Sequence, residues 1–347
     1  MKAIQIVAPG RLELTEKLSR PLCAWEVRVA VAASCVCGSD LKNIRAPVLV
    51  PQVPGHEFSG VVIEVSTEAE SLCQVGDRVT AFPMIGCMKC ADCKNSRFRD
   101  CVDKLSIGFQ LAGSFAEEVI VDSRLVVSLS DGLTYEQGAL IEHLSCGYRL
   151  AKEIVSHQLQ ADAHIVLIGD GPIALADLQA LRLFGYPNVT LIGKHPLRMG
   201  MARRLGAFRV LHLSEIEAVV GRKILPLGAA IIMAAPAEQT LNQLLPLLRS
   251  EGLVFPQVSI KSPSILRSLK ESKSVFGRAF AYEIGDFTEV MSLIQEGRLE
   301  SESLITDRID LLEFVEKFSA MKQHGNRSKT VIINKKLNEI VEGRGHE

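Results

Sequence analysis

Four cysteines fall within sixteen residues in the stretch GCMKCADCKNSRFRDC, Gly86–Cys101, of a chain that has nine in all. Their order is Cys87-x2-Cys90-x2-Cys93-x7-Cys101. In a reducing cytosol disulfides rarely persist, and clustered cysteines more often hold a metal or do catalysis. A tetrahedral zinc takes four soft ligands from a loop able to wrap it. The two x2 spacings let neighbouring thiolates converge on one ion, and the longer arm closes the shell from the other side. Lys89, Lys94, Arg97 and Arg99 are interspersed and offset the net charge of about −2 that four thiolates leave on zinc. Four thiolates leave no open coordination position, so this zinc is expected to be structural, and the chemistry to lie elsewhere.

A second set joins Cys37, in CVCGSDLK, with His56 and Glu57, in VPGHEFSG. A thiolate, an imidazole and a carboxylate are all suited to zinc. A third feature is Gly169-x-Gly171-x-x-Ala174 in VLIGDGPIALADLQALRLFG, directly after an apolar strand pattern and at the start of a helical one. The first glycine permits a tight turn, the second lets backbone approach a pyrophosphate, and the third position needs only a small residue. With Pro172 and Ile173 opening the helix, the phosphates would face its N-terminus. Sites that prefer NAD end the following strand with an acid that holds the ribose 2′-hydroxyl. Here the strand is NVTLIG, Gly193 stands in the acid's place, and Lys194, His195 and Arg198 follow. Those cations suit a 2′-phosphate, so NADP(H) is expected over NAD(H). A solvated basic helix start with no strong preference is the other reading. Asp170, between the two glycines, has no evident role beside a phosphate.

The elements that must position these residues fall into two patterns. From the N-terminus, KAIQIV, RLELTEKL, EVRVAVAASCV, FSGVVIEVS, VGDRVTAF and GSFAEEVIVDSRLVVSL read as short strands broken by turn signals, a barrel-like β domain. TYEQGALIEHLSCGYRLAKEI reads as a helix bridging into a second unit. From Ala163 strands and helices alternate: HIVLIG, PIALADLQALRLFG, NVTLIG, HPLRMGMARRLG, FRVLHL, AAIIMAA, EQTLNQLLPLLRS and GLVFPQ. That period means βαβ units and a parallel sheet. Two helices, FTEVMSLIQEG and LLEFVEKFSAM, and a last strand, KTVIIN, follow. The expected division is a catalytic β domain over 1–148 with the zinc lobe at 86–101, a cofactor domain over 149–280, and a C-terminal return over 281–347.

With 347 residues, two domains are the ordinary expectation. Charged residues make up 23% and hydrophobic ones 47%, with a formal net charge of −1 and no basic block, so nothing points to nucleic acid. MKAIQIVAPGRLEL turns polar too early for a signal peptide, and no apolar run reaches about 18 residues, so neither export nor a membrane is expected. The expected location is the cytoplasm.

Taken together, the β domain, the four-cysteine lobe, CGSD, GHE and the glycine turn resemble the zinc-dependent medium-chain dehydrogenase/reductases of the alcohol dehydrogenase superfamily. Within that family the chain is similar to the polyol (sorbitol), threonine and sugar dehydrogenase branch, over essentially its whole length. The resemblance implies an α/β fold, a doubly wound Rossmann sheet plus a co-chaperonin-like β-barrel catalytic domain. It implies two zinc ions per chain, one structural and one catalytic, and a homodimer or homotetramer. Cys37 and His56 would bind the catalytic zinc. Glu57 matches an acid that is a ligand in some members and a back-side partner in others. GALIEHLSCG resembles the family's Glu-Pro-Leu-Ser segment, so Glu142 matches the remaining ligand, direct or through water. His143 stands where proline is usual. Asp40 matches the carboxylate that orients the zinc histidine, and Ser39 the hydroxyl that begins the proton relay.

The activity so implied is the interconversion of a secondary alcohol (polyol, sugar, cyclitol or amino alcohol) and its ketone, with zinc as Lewis acid and hydride passing to the nicotinamide. The small-molecule alcohol or ketone is then the expected partner. Glu142 at the third metal position, where a cysteine would mark simple alcohol and aldehyde reductases of the family, favours the polyol type. Lys42, Asn43 and Arg45, just after Ser39, fit either a polar substrate pocket or a solvated loop. AAIIMAAP lacks the acid and glycine usual near that strand, which keeps open a non-catalytic zinc- and cofactor-binding sensor.

Overall fold

The alternation of apolar strands and helices after Ala163 closes into a six-stranded parallel sheet in the computed structural model, which describes residues 1–222, 228–271, 275–277, 282–321, 327–335 and 337. The chain folds as two units. One comprises Met1–Glu142, Glu283–His324 and Lys329–Glu347, the other His143–Tyr282 and Gly325–Ser328. The limit drawn from sequence after residue 148 lies further along the same 22-residue helix, Tyr135–Ser156, in which the units divide. The limit drawn at 280/281 lies outside the described residues.

In the first unit the strand Glu26–Cys35 is the organiser. Every residue after Glu26 is buried, because neighbours flank it on both edges. Glu57–Val65 pairs antiparallel along one edge, with Cys35 opposite Glu57. Glu118–Asp122 takes the first half of the other edge and Lys329–Ile333 the second, with Val331 opposite Cys35. Arg78–Ala81, Val126–Ser128 and Ile305–Asp310 complete a seven-stranded sheet. Val27, Val29, Val31, Phe58, Val62, Val79 and Val119 pack its core. Branched side chains suit such a pleated, doubly covered surface. The stretch 113–129, read as strand, is broken by the 3-10 turn Ser123–Leu125, where Asp122 accepts from Arg124 N and caps the turn. The cysteine lobe is moored to the same unit by Arg99 Nε, 2.7 Å from Glu283 Oε1, and by Phe82, whose ring stands 6.2 Å from Phe98 and 5.8 Å from Phe287.

The second unit orders its strands Arg209–His212, Val189–Gly193, Ile165–Ile168, Gly228–Met233, Leu248–Pro256, Val275–Phe276, all parallel. In chain order this is 3-2-1-4-5-6, the doubly wound arrangement whose order reverses beside its first strand, where such folds bind dinucleotides. The strands Ile165–Ile168 and Val189–Gly193 are buried throughout, as strands covered on both faces by crossover helices must be. The helix expected over EQTLNQLLPLLRS is shorter: it runs Glu238–Leu244, tightens to a 3-10 turn at Leu245–Leu247, and Leu248 already starts the next strand. Pro246 has no N–H to extend the helical ladder. Among the described residues no helix is long and apolar enough to cross a membrane.

One acid sits inside the second unit's core. Asp177, on the helix Pro172–Leu183, is fully buried, and Gln257 Nε2 donates to its Oδ1 at 2.9 Å. Burial outweighs that hydrogen bond and raises its pKa to about 8. A protonated Oδ2 can donate back to Gln257 Oε1, which has no other partner among the described residues. The folded state therefore holds a proton that the unfolded chain, near its ordinary 3.8, has lost. This contribution is complete below about pH 4, falls by up to about 1.4 kcal/mol per pH unit, and is exhausted near pH 8. Asp177→Asn keeps the shape and an oxygen to accept from Gln257 Nε2. Denaturant unfolding across pH 5–9 should show the variant gaining stability over the parent as pH rises and levelling off near pH 8; a pH-independent difference would contradict the assignment.

Candidate active site

Cys37 precedes the helix Gly38–Arg45 as its N-cap, in extended conformation, and its N–H donates to Asp40 Oδ2 at 2.9 Å. The other oxygen of Asp40 stands 3.0 Å from His56 Nδ1 and accepts from Gly55 N at 3.3 Å. One fully buried carboxylate thus ties the cysteine's turn to the histidine's. With Nδ1 held by a carboxylate, His56 is oriented so that Nε2 is the nitrogen a metal would take. Ser39 Oγ lies 3.4 Å from that Nε2. Gly55 has φ +101°, and a Cβ on it would strike the Phe115 ring and Ser114 Oγ, so this turn requires glycine.

Donor atoms of Cys37, His56 and Glu57 all lie within 4.8 Å of one another. A thiolate, an imidazole and a carboxylate that converge so closely fit a zinc ion. Burial disfavours the imidazolium, but the Asp40 charge and Cys37 more than reverse this, so metal-free His56 titrates well above its ordinary value. Cys35, the neighbouring cysteine of CVC, is fully buried; burial first and then the Glu57 charge hold its thiol well above the usual range. Cys35 remains a neutral thiol, and Cys37 is the ligand-like member of the pair.

Glu57 has a partner that sequence reasoning missed. Lys329, 1% exposed, places Nζ 2.6 Å from Glu57 Oε1 and closer still to Oε2. Burial works against the ammonium, yet the Glu57 charge raises the Lys329 pKa above its ordinary value. The two residues are 272 positions apart. The only signal in the chain was a lysine opening the otherwise apolar strand KTVIIN, which, if buried, needs a carboxylate. Glu142 is buried on the helix Tyr135–Ser156 and its charge reaches Cys35, but it does not join the 4.8 Å set. His143 is also buried.

Lys42, Asn43 and Arg45, read as loop or pocket residues, lie on the helix Gly38–Arg45. Asn43 is buried, donating from Nδ2 to Gly108 O at 3.2 Å and accepting from Val48 N at 3.0 Å, while Lys42 and Arg45 are exposed on the last turn. Asn43 is thus a structural residue. Cations suit the negative end of a helix.

In the cysteine lobe the sulfurs of Cys87, Cys90, Cys93 and Cys101 also lie within 4.8 Å of one another. All are free thiols, and the Cys87 and Cys93 sulfurs are 4.0 Å apart, roughly twice a disulfide bond length. Tetrahedral zinc with bonds near 2.3 Å sets its sulfurs about 3.8 Å apart. The lobe is shaped for the ion. Cys101 Sγ accepts from Cys87 N at 3.3 Å and Cys90 Sγ from Cys93 N at 3.5 Å.

In the second unit Gly169 takes φ +123° directly after the strand Ile165–Ile168. Gly171 caps the helix Pro172–Leu183, and a Cβ on it would meet nothing within 4 Å. That open backbone, ahead of Pro172 and Ile173, suits a pyrophosphate. Asp170, unplaced by sequence, turns away toward the end of the strand Val189–Gly193. Its Oδ2 accepts from Lys194 N at 2.7 Å and His195 N at 2.6 Å, and its Oδ1 lies 2.9 Å from His195 Nδ1. Burial disfavours the charge, but His195 and the two backbone N–H groups more than offset it and lower the Asp170 pKa. Arg198 Nη1 is 3.9 Å away, and its Nε donates to Arg327 O.

The chain matches the alcohol dehydrogenase GroES-like domain over residues 24–131. It is 30% identical to D-arabitol-phosphate dehydrogenase of Enterococcus avium over 349 residues, 96% of this chain and 97% of that protein. It is 32% identical to L-idonate 5-dehydrogenase of Vitis vinifera over 197 residues, 55% of this chain and about half (53%) of that protein. Its fold superposes with a TM-score of 0.85 on a short chain alcohol dehydrogenase of Escherichia coli CFT073 complexed with NADH, 24% identical, covering 96% of this chain and 99% of that one. The chain belongs to the zinc-dependent medium-chain dehydrogenase/reductases of the alcohol dehydrogenase superfamily. It is an NAD(P)-dependent oxidoreductase that interconverts secondary alcohols and ketones.

The buried Glu57–Lys329 pair carries its own test. Removing one partner of a buried pair strands the other charge, at a cost of about 3–5 kcal/mol. Lys329→Met should lower the unfolding free energy by that order, and Glu57→Gln/Lys329→Met should recover much of it. Denaturation of the three proteins checks this; additive losses would mean the pair is not coupled.

Proposed function

We propose that the chain oxidises a polyol or sugar alcohol, free or phosphorylated, with NADP(H) favoured over NAD(H), and that each chain carries one catalytic and one structural zinc. The observation that carries this reading is the Asp40 carboxylate, which holds Cys37 and His56 together with Glu57 in one 4.8 Å donor set. When bound there, zinc supplies Lewis acidity toward the alcohol oxygen. Cys37 and His56 hold the metal, with Glu57 or Glu142 as the further carboxylate. Asp40 orients the imidazole through Nδ1, and Ser39 Oγ takes the substrate hydroxyl proton outward. Cys87, Cys90, Cys93 and Cys101 hold the structural ion.

Gly169, Gly171, Pro172 and Ile173 receive the pyrophosphate, and Gly193, Lys194, His195 and Arg198 border the adenosine ribose. We assign residues 1–148 and 281–347 to catalysis and 149–280 to the cofactor. The relatives, an arabitol-phosphate dehydrogenase and an idonate dehydrogenase, favour polyhydroxylated substrates over simple alcohols. Family resemblance extends the reading to a cytoplasmic homodimer or homotetramer.

Metal analysis of the purified chain should find two zinc ions, falling to one in Cys37→Ser with activity lost. Asp40→Ala should weaken binding of the second zinc about 10–100-fold. Assays of polyols, their phosphates, sugars and amino alcohols with NADP+ and NAD+ should find turnover with a higher kcat/KM for NADP+. A single zinc in the parent, or cofactor binding without turnover of any substrate, overturns the reading.

A further inference from the structure

The missing acid at the end of the strand Val189–Gly193 and the unexplained acid between the glycines are one feature. A Cβ built on Gly193 would lie 2.7 Å from Asp170 Cβ and 2.8 Å from Asp170 Oδ2. The Asp170 carboxylate therefore occupies the space in which a side chain at 193 would begin. Its three neighbours come from the same turn: Lys194 N, His195 N and His195 Nδ1. Asp170 in this position requires glycine at 193, because a side chain at 193 would collide with it.

We infer that Asp170 is the cofactor-selecting acid of this enzyme, delivered to the ribose site from the glycine loop instead of from the strand end. The inference rests on the reading above that Gly193, Lys194, His195 and Arg198 border the ribose. Position decides the chemistry. A carboxylate beside a ribose diol accepts its hydroxyl protons, and the same carboxylate repels a 2′-phosphate dianion. Among the described residues Oδ1 has only His195 Nδ1 and the more distant Arg198 around it, and keeps accepting capacity. Lys194 and Arg198 pull the opposite way, toward the phosphate. Asp170 thus narrows the NADP(H) preference that the cations create, and keeps NAD(H) a competent cofactor.

Fluorescence titration of the full chain with NADPH and NADH tests this without the substrate. Asp170→Asn, nearly isosteric, should weaken NADH and tighten NADPH, raising the ratio of Kd(NADH) to Kd(NADPH) at least tenfold. Asp170→Gly/Gly193→Asp returns the acid to the strand end, with glycine at 170 removing the Cβ that would collide. It should bring the ratio back toward the parent value. If Asp170 merely holds the turn, Asp170→Asn leaves the ratio unchanged, or the double variant fails to restore it while still binding cofactor; either result overturns the inference. If Asp170→Asn does not fold, the double variant decides: NADH binding within a few-fold of the parent supports the inference, and its loss with NADPH binding retained refutes it. Lys194→Ala/Arg198→Ala separates the underlying reading, since it should weaken NADPH alone. Should that variant leave NADPH unaffected while Asp170→Asn shifts the ratio, the cationic reading falls and the acid's role stands.

Discussion

Asp40 is the interaction on which the candidate metal site depends. Its two oxygens serve two different chain segments: one caps the turn at Cys37, the other takes the imidazole of His56 and the N–H of Gly55. Buried away from water, such a carboxylate keeps its charge only if its lone pairs are filled, and the segments that fill them are those that carry the ligands. The same contacts therefore satisfy the acid, cap the helix Gly38–Arg45 and orient the imidazole. Strand register supports this from beneath. Cys35 lies opposite Glu57 in the sheet, so the turns that leave those strands must run side by side.

In each unit the buried charges come in compensated sets. Glu57 has Lys329, Asp170 has two backbone N–H groups and His195, and Asp177, with only an amide beside it, holds a proton instead. These are the three outcomes open to a buried acid: an ion pair, a hydrogen-bonded carboxylate, or neutrality. Glu57 is the most constrained, since it faces both Lys329 and the Cys37/His56 pair. A metal there would draw on a carboxylate already held by an ammonium, which weakens it as a ligand.

Much of this was legible in the chain. Four cysteines at x2, x2 and x7 spacing could converge without any knowledge of the fold, because a short loop brings its own ligands together. The glycine turn was legible for the same reason, since strand, turn and helix are contiguous. The Gly38–Arg45 helix was not, because eight residues opening on Gly-Ser-Asp look like a turn until Cys37 and Asp40 cap it. The early end of the helix at Leu244 was marked only by Pro246, inside a run of leucines that reads as helix.

By itself, then, the sequence determined what depends on neighbours in the chain: the closed cysteine lobe, the βαβ alternation, the pyrophosphate turn and the family. Only the tertiary structure decided what depends on distant segments meeting. It paired Glu57 with Lys329 across 272 residues, and brought Asp170 against Gly193 through strand order. Local spacing states which ligands a loop can offer. Which charges a buried carboxylate will meet is set by sheet register and burial, and these exist only once the strands have paired.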